Sequence, residues 1–175
     1  MKILFISISL LIISLSCCSQ SPDTIRWTPY YKLKWEDFQG RPDSASSYKA
    51  VTIADIFSTL SYNNSTFNLK ATCSFYKKKS WALGTGQNLL SHEQGHFNIA
   101  ELFTRKLRMA FKEYKFNPKT IEADYNNIFS RIKAERAKMD ASYDHETNLS
   151  RNKSKQVAWN KKIEAELKKL EKYSD

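Results

Sequence analysis

Leu89-Leu90-Ser91-His92-Glu93-Gln94-Gly95-His96-Phe97-Asn98-Ile99-Ala100-Glu101 is the stretch on which the reading of this chain turns. Leu89, Leu90, His92, His96, Ile99, Ala100, Phe103, Leu107 and Phe111 recur at helical spacing. They predict one long helix that starts near Asn88 and stops at Asn117-Pro118. His92 and His96 lie four residues apart, so both imidazoles share one face and can reach a single metal ion. Glu93 projects beside them, about 100° around the axis. There it can hold a water and take its proton. Together these residues form the H-E-x-x-H pattern of zinc peptidases. In that chemistry a zinc ion lowers the pKa of a water and polarises the scissile carbonyl. The chain has three histidines, and two fall in this motif.

Gly95 costs the helix about 1 kcal/mol relative to Ala, so it implies clearance beside the metal or against a packed neighbour. Glu101 points away from the metal in a regular helix and suits pairing with Arg105 at i+4. Zinc needs a third protein ligand. The stretch Tyr143-Asp144-His145-Glu146-Thr147 concentrates carboxylates and the last histidine. Asp144 is the first choice for that ligand, with Glu146 and His145 behind it. Tyr143 is a candidate catalytic residue that donates a hydrogen bond to the oxyanion.

Upstream of the helix, residues 49–61 and 66–77 alternate in polarity and carry β-branched residues, which predicts two strands. Phe67, Leu69, Ala71, Cys73 and Phe75 share one face. Asn63-Asn64-Ser65 suits the hairpin turn between them. Trp35 and Phe38 are expected to plug their loop into the core. Downstream, a second helix is expected from Lys119 to Met139, a break from Asp140 to Arg151, and a third helix from Ser154 to Tyr173. The fold expected is therefore α+β: a small antiparallel sheet followed by three helices, with the metal on the first long helix, as in zincins. An extended substrate would add to the strand at 66–77.

Residues 1–20 carry one lysine, an apolar run from Ile3 to Leu15, then small residues and two cysteines. That is the layout of a secretory signal peptide, too short for a comfortable bilayer span. Cys17 or Cys18 follows the run as a lipidated cysteine follows a bacterial lipoprotein signal. The expectation is an exported protein, in the periplasm or cell envelope and lipid-anchored, with residues 21–32 as a linker and 33–175 as the domain. The net charge is +10, from 28 Lys and Arg against 18 Asp and Glu. The lysines are spread along helices and interleaved with glutamates, which reads as solvated surface and not as a nucleic-acid footprint. Cys73 alone in the body leaves no internal disulfide scaffold.

Several motifs together resemble a known family. Trp35-Glu36-Asp37-Phe38-Gln39-Gly40, Lys79-Ser80-Trp81, the His92–Glu101 core, Arg105-Lys106-Leu107-Arg108, Tyr143-Asp144-His145-Glu146-Thr147 and the Gln156/Trp159 pair are similar to the bacterial domain of unknown function 922 family of secreted HExxH zinc-dependent proteases. The resemblance implies a zincin-like metallopeptidase domain with His92 and His96 as ligands, Glu93 as base, and a peptide or protein as substrate. The chain departs from the pattern at Asn98, usually Asp, and at Leu149, often His. Those departures motivate the alternative: a catalytically weak or inactive zinc-binding assembly or binding protein of the envelope.

Overall fold

The computed structural model describes residues 23–175. The signal peptide expected at residues 1–20, with the cysteines at 17 and 18, lies outside the described residues. The elements run β1 (Thr24–Arg26), a 3-10 turn (Trp35–Asp37), β2 (Ala50–Val51), β3 (Ala54–Tyr62), β4 (Phe67–Tyr76), β5 (Trp81–Ala82), α1 (Gln87–Lys112), α2 (Ile121–Thr147) and α3 (Lys153–Lys169), then a last 3-10 turn, Glu171–Tyr173. The architecture is α+β, as expected: a small antiparallel sheet followed by three helices.

The hairpin forms where the alternation placed it. β3 and β4 pair antiparallel from Ala54↔Phe75 to Tyr62↔Phe67. The Asn63 side chain closes the turn by accepting from the backbone N–H of Ser65 and of Thr66. Ala71, Cys73 and Phe75 of β4 are buried against α1. Burial pushes the Cys73 thiol well above its ordinary pKa.

Three expectations are corrected. The strand predicted at 49–61 is two strands in two sheets: β3 joins β4, while β2 pairs with β5. The break falls at Thr52-Ile53, where the Ile53 N–H turns to the Ser80 hydroxyl, 2.9 Å away. Residues 23–32 of the linker expected at 21–32 are instead built into the domain. β1 pairs with the end of β4, Ile25 and Leu33 are buried, and the Trp27 indole donates to Asn98 Oδ1. Strand β4 is consequently not an edge: beyond β1, Trp27 N–H takes the Cys73 carbonyl and the Arg108 guanidinium takes the Ala71 carbonyl. That occupies the Ala71–Tyr76 part of the docking edge expected at 66–77.

The third correction concerns α2. It does not break at Asp140 but continues to Thr147. The apolar stripe lapses there, yet Asp140, Tyr143, Asp144 and Thr147 keep the i, i+3, i+4, i+7 spacing of one helical face. Asp140, Asp144 and Thr147 turn polar groups to the polar face of α1, and the Tyr143 ring is the core residue of these turns.

The 3-10 turn at 35–37 docks as expected. Trp35 packs on Phe38 and Phe38 on Phe75, with ring centroids 5.1 Å apart in each pair. The Asp37 carboxylate accepts from the Tyr31 hydroxyl and the Lys34 N–H. Gly40 N–H donates to Ser80 O at 2.7 Å. A β-carbon at Gly40 would collide with that same carbonyl. Among the described residues no helix is long and apolar enough to cross a membrane.

Candidate metal centre

α1 buries His92 and Glu93 and leaves His96 half-buried, and both imidazoles face α2. Asp144 arrives from α2. Its Oδ1 lies 3.1 Å from His92 Nε2 and 2.9 Å from His96 Nε2. One ligand atom from each of the three lies within 4.8 Å of the others.

The partners behind each ring fix its tautomer. His96 Nδ1 is 2.9 Å from Asp140 Oδ1, a carboxylate that can only accept, so Nδ1 carries the proton. Gln156 uses its amide N–H groups on the Tyr143 hydroxyl and on Asn160 Oδ1, which turns its Oε1 toward His92 Nδ1 at 3.1 Å. Nδ1 of His92 is therefore also a donor. Both Nε2 atoms then present lone pairs to a third acceptor, Asp144 Oδ1. Three lone-pair atoms converging at hydrogen-bond distance require a cation between them, either a proton or a metal ion.

The electrostatics agree. Burial disfavours the charged form of His96, but the Asp140 and Asp144 hydrogen bonds outweigh it, and the pKa rises from 6.5 to about 10. Asp144 is partly desolvated, which opposes ionisation. The two histidines more than offset that and hold its carboxyl below the usual range. Glu93 adjoins this group. Burial raises its pKa above 4.5, and its Oε2 is buried with no hydrogen-bond partner among the described residues. An orphaned carboxylate oxygen beside three converging ligands fits a site that holds an ion and a water. Two imidazoles and a carboxylate are a donor set that zinc accepts, and other divalent transition ions accept it too.

The other expected site residues fall elsewhere. Glu146 is exposed and accepts from the Trp159 indole N–H, and His145 is exposed. Each step along α2 turns about 100°, so neither can share the face of Asp144. Tyr143 is fully buried behind His92, its ring stacked on the imidazole at 4.5 Å. Its hydroxyl donates to the His92 carbonyl. It holds the ligand helix and does not face the opening, so the oxyanion role expected for it does not fit. Burial raises the phenol pKa beyond its ordinary range. The pairing of Glu101 with Arg105 is present at 2.9 Å, buried and extended by Arg108.

Asp140 was not singled out in the sequence. Its signal was available: it stands one helical turn before Asp144 and four residues after Arg136, which reaches it at 3.3 Å. Arg136 also donates to the Ala54 carbonyl at 2.7 Å and so ties the His96 partner to β3.

The centre opens into a pocket of about 360 Å³. One wall is residues 47–52, including β2; the other is Leu149, Ser150 and Arg151. The second wall is a tight left-handed turn, with φ of 49° at Asn148, 51° at Leu149 and 74° at Ser150. Left-handed backbone costs about 1–2 kcal/mol per non-glycine residue. Leu149 N–H to Asp144 O at 2.9 Å and Asn152 N–H to Thr147 O at 2.8 Å hold the turn. The Asn88 amide clamps the Ser150 carbonyl from α1.

No curated protein and no solved structure matches the chain. A family model described as "Bacterial protein of unknown function (DUF922)" matches residues 26–152, from β1 through the turn after α2 and so across every residue of the centre except Gln156. The chain belongs to the DUF922 family of bacterial proteins.

Proposed function

We propose that this protein is a zinc-dependent metallopeptidase that hydrolyses peptide or amide bonds. The observation that carries the reading is the convergence of His92 Nε2, His96 Nε2 and Asp144 Oδ1 near the buried, unpartnered Oε2 of Glu93.

A zinc ion held by those three atoms would supply Lewis acidity to a water and to a substrate carbonyl. The chain's own residues do the rest. Glu93 Oε2 accepts the proton of the attacking water and passes it to the leaving amine. Burial raises its pKa and so makes it the stronger proton acceptor. Asp140 and Gln156 keep both histidines in the tautomer that offers Nε2. Tyr143 locks the His92 turn of α1 against α2.

β2 lines the pocket and, among the described residues, pairs with β5 on one side only. An extended peptide laid along residues 47–52 would meet the centre, so the docking strand in this proposal is β2. The signal read from residues 1–20 completes the proposal with export to the periplasm or cell envelope and a lipid tether.

Glu93→Gln tests the reading. The variant should bind metal as the wild type does and lose about 10²–10⁴-fold in turnover of a peptide mixture. Wild-type protein, metal-loaded, that cleaves no peptide would refute the peptidase and leave a metal-binding envelope protein.

A further inference from the structure

We propose that the pocket beside His92, His96 and Asp144 recognises a carboxylate on its substrate, held between Lys49 and Arg151. The inference rests on the peptidase reading and adds the substrate class.

The pocket walls are largely apolar, with Ala50, Val51, Leu89 and Leu149 among the lining residues. Outside the histidine–carboxylate centre, Lys49 and Arg151 are the charged side chains that line it, one on each wall. Nearby cations are neutralised: Arg136 by Asp140 and Lys155 by Glu146. Lys49 and Arg151 make no salt bridge and no side-chain hydrogen bond among the described residues. The acidic residues of the pocket, Glu93 and Asp144, belong to the centre and are offset by the divalent ion it would hold. The remaining charge of the pocket is therefore positive. Apolar walls keep that field from being fully screened, and a cleft of one sign draws in a ligand of the other.

The backbone supports a fixed role for Arg151. It follows directly on the left-handed turn at 148–150, and its own N–H donates to Asn148 O. Strained backbone persists where its surroundings hold it, and such places gather at ligand-binding sites. Here the clamp from Asn88 and the bond from Asn152 N–H to Thr147 O set where the Arg151 side chain begins. Lys49 starts from an equally fixed point, because its carbonyl accepts from Leu83 N–H at 2.7 Å next to the β2–β5 pair. The carboxylate has two possible sources on a peptide: an acidic side chain near the bond to be cut, or the chain's own C-terminus.

Binding to three peptides tests this. The probes are acetyl-Ala-Glu-Ala amide, acetyl-Ala-Gln-Ala with a free C-terminal carboxylate, and acetyl-Ala-Gln-Ala amide. Calorimetric titration into zinc-loaded Glu93→Gln protein keeps them intact. At least one carboxylate peptide should bind about fivefold more tightly than the neutral one, the size expected of two solvent-exposed ion pairs. Whichever peptide gains identifies the source. The gain should shrink with added salt. It should vanish in Arg151→Glu and in Lys49→Glu. Arg151→Gln serves if a reversal does not fold, with metal content and circular dichroism as the check. Equal binding of all three, a preference that survives these changes, or no saturable binding of any would overturn the proposal. Incubating the same peptides with the zinc-loaded wild type separates the two readings. Charge-dependent binding without cleavage keeps the carboxylate site and sinks the peptidase. Cleavage indifferent to charge does the reverse.

Discussion

Gly95 and Tyr143 share a space that admits only one of a β-carbon and a phenol. A β-carbon at position 95 would fall on the Tyr143 hydroxyl and ring edge. The glycine that weakens α1 is what lets α2 come close enough to bring Asp144 to the histidines.

Gly95→Ala should therefore force α1 and α2 apart. Overpacking of this kind destabilises by about 1–3 kcal/mol. Urea unfolding would read it. Tyr143→Phe should not rescue the variant, because the ring carbons Cζ and Cε1 also crowd the site. Wild-type stability in Gly95→Ala would show that the helices have slack here.

Much of this was legible in advance, and the gaps have physical reasons. The α1 helix, the β3–β4 hairpin and the His92/Glu93/His96 group follow from periodicity and spacing. Asp144 is the first choice for third ligand from the sequence, expected in a break, and it sits in α2. The apolar stripe thins out after Met139. In the fold a polar site replaces the apolar core at that face, so hydrophobic periodicity fades while the helix persists. β1 escaped notice because three residues, with one buried isoleucine, carry no period and precede Pro29. The edge of β4 looked open because nothing local announces that Arg108, 37 residues away, will cap Ala71.

Asp140 should matter to the metal without touching it. Orienting carboxylates behind a histidine ligand typically account for about 10–100-fold in metal affinity. Asp140→Asn should weaken zinc binding by that order in a chelator competition and leave the far-UV spectrum unchanged. Unaltered affinity would remove Asp140 from the account.

The metal-free protein should lose stability on the alkaline side. His96 titrates at 6.5 when unfolded and at about 10 when folded. A raised folded pKa contributes stability that is complete below 6.5 and is lost as pH rises through about 10. Thermal melts across that window should fall for the metal-free protein. They should flatten once an ion replaces the proton at Nε2. A metal-free melting temperature that rises over the same range would contradict the assignment.

Glu101 offers a control far from the centre. It is buried between Arg105 and Arg108, and its removal would leave the buried Arg105 guanidinium without its carboxylate. Glu101→Ala should cost about 3–5 kcal/mol in unfolding free energy. The folded fraction should still bind metal at wild-type stoichiometry. Loss of stoichiometry there would mean that the two regions are coupled.

The central claim is that His92, His96 and Asp144 hold one metal ion, and elemental analysis of the purified protein tests it most directly. The account predicts about one zinc per chain in the wild type, and its loss in His92→Ala, His96→Ala and Asp144→Ala. A folded wild type that takes up no zinc, or variants that keep it, would contradict the account.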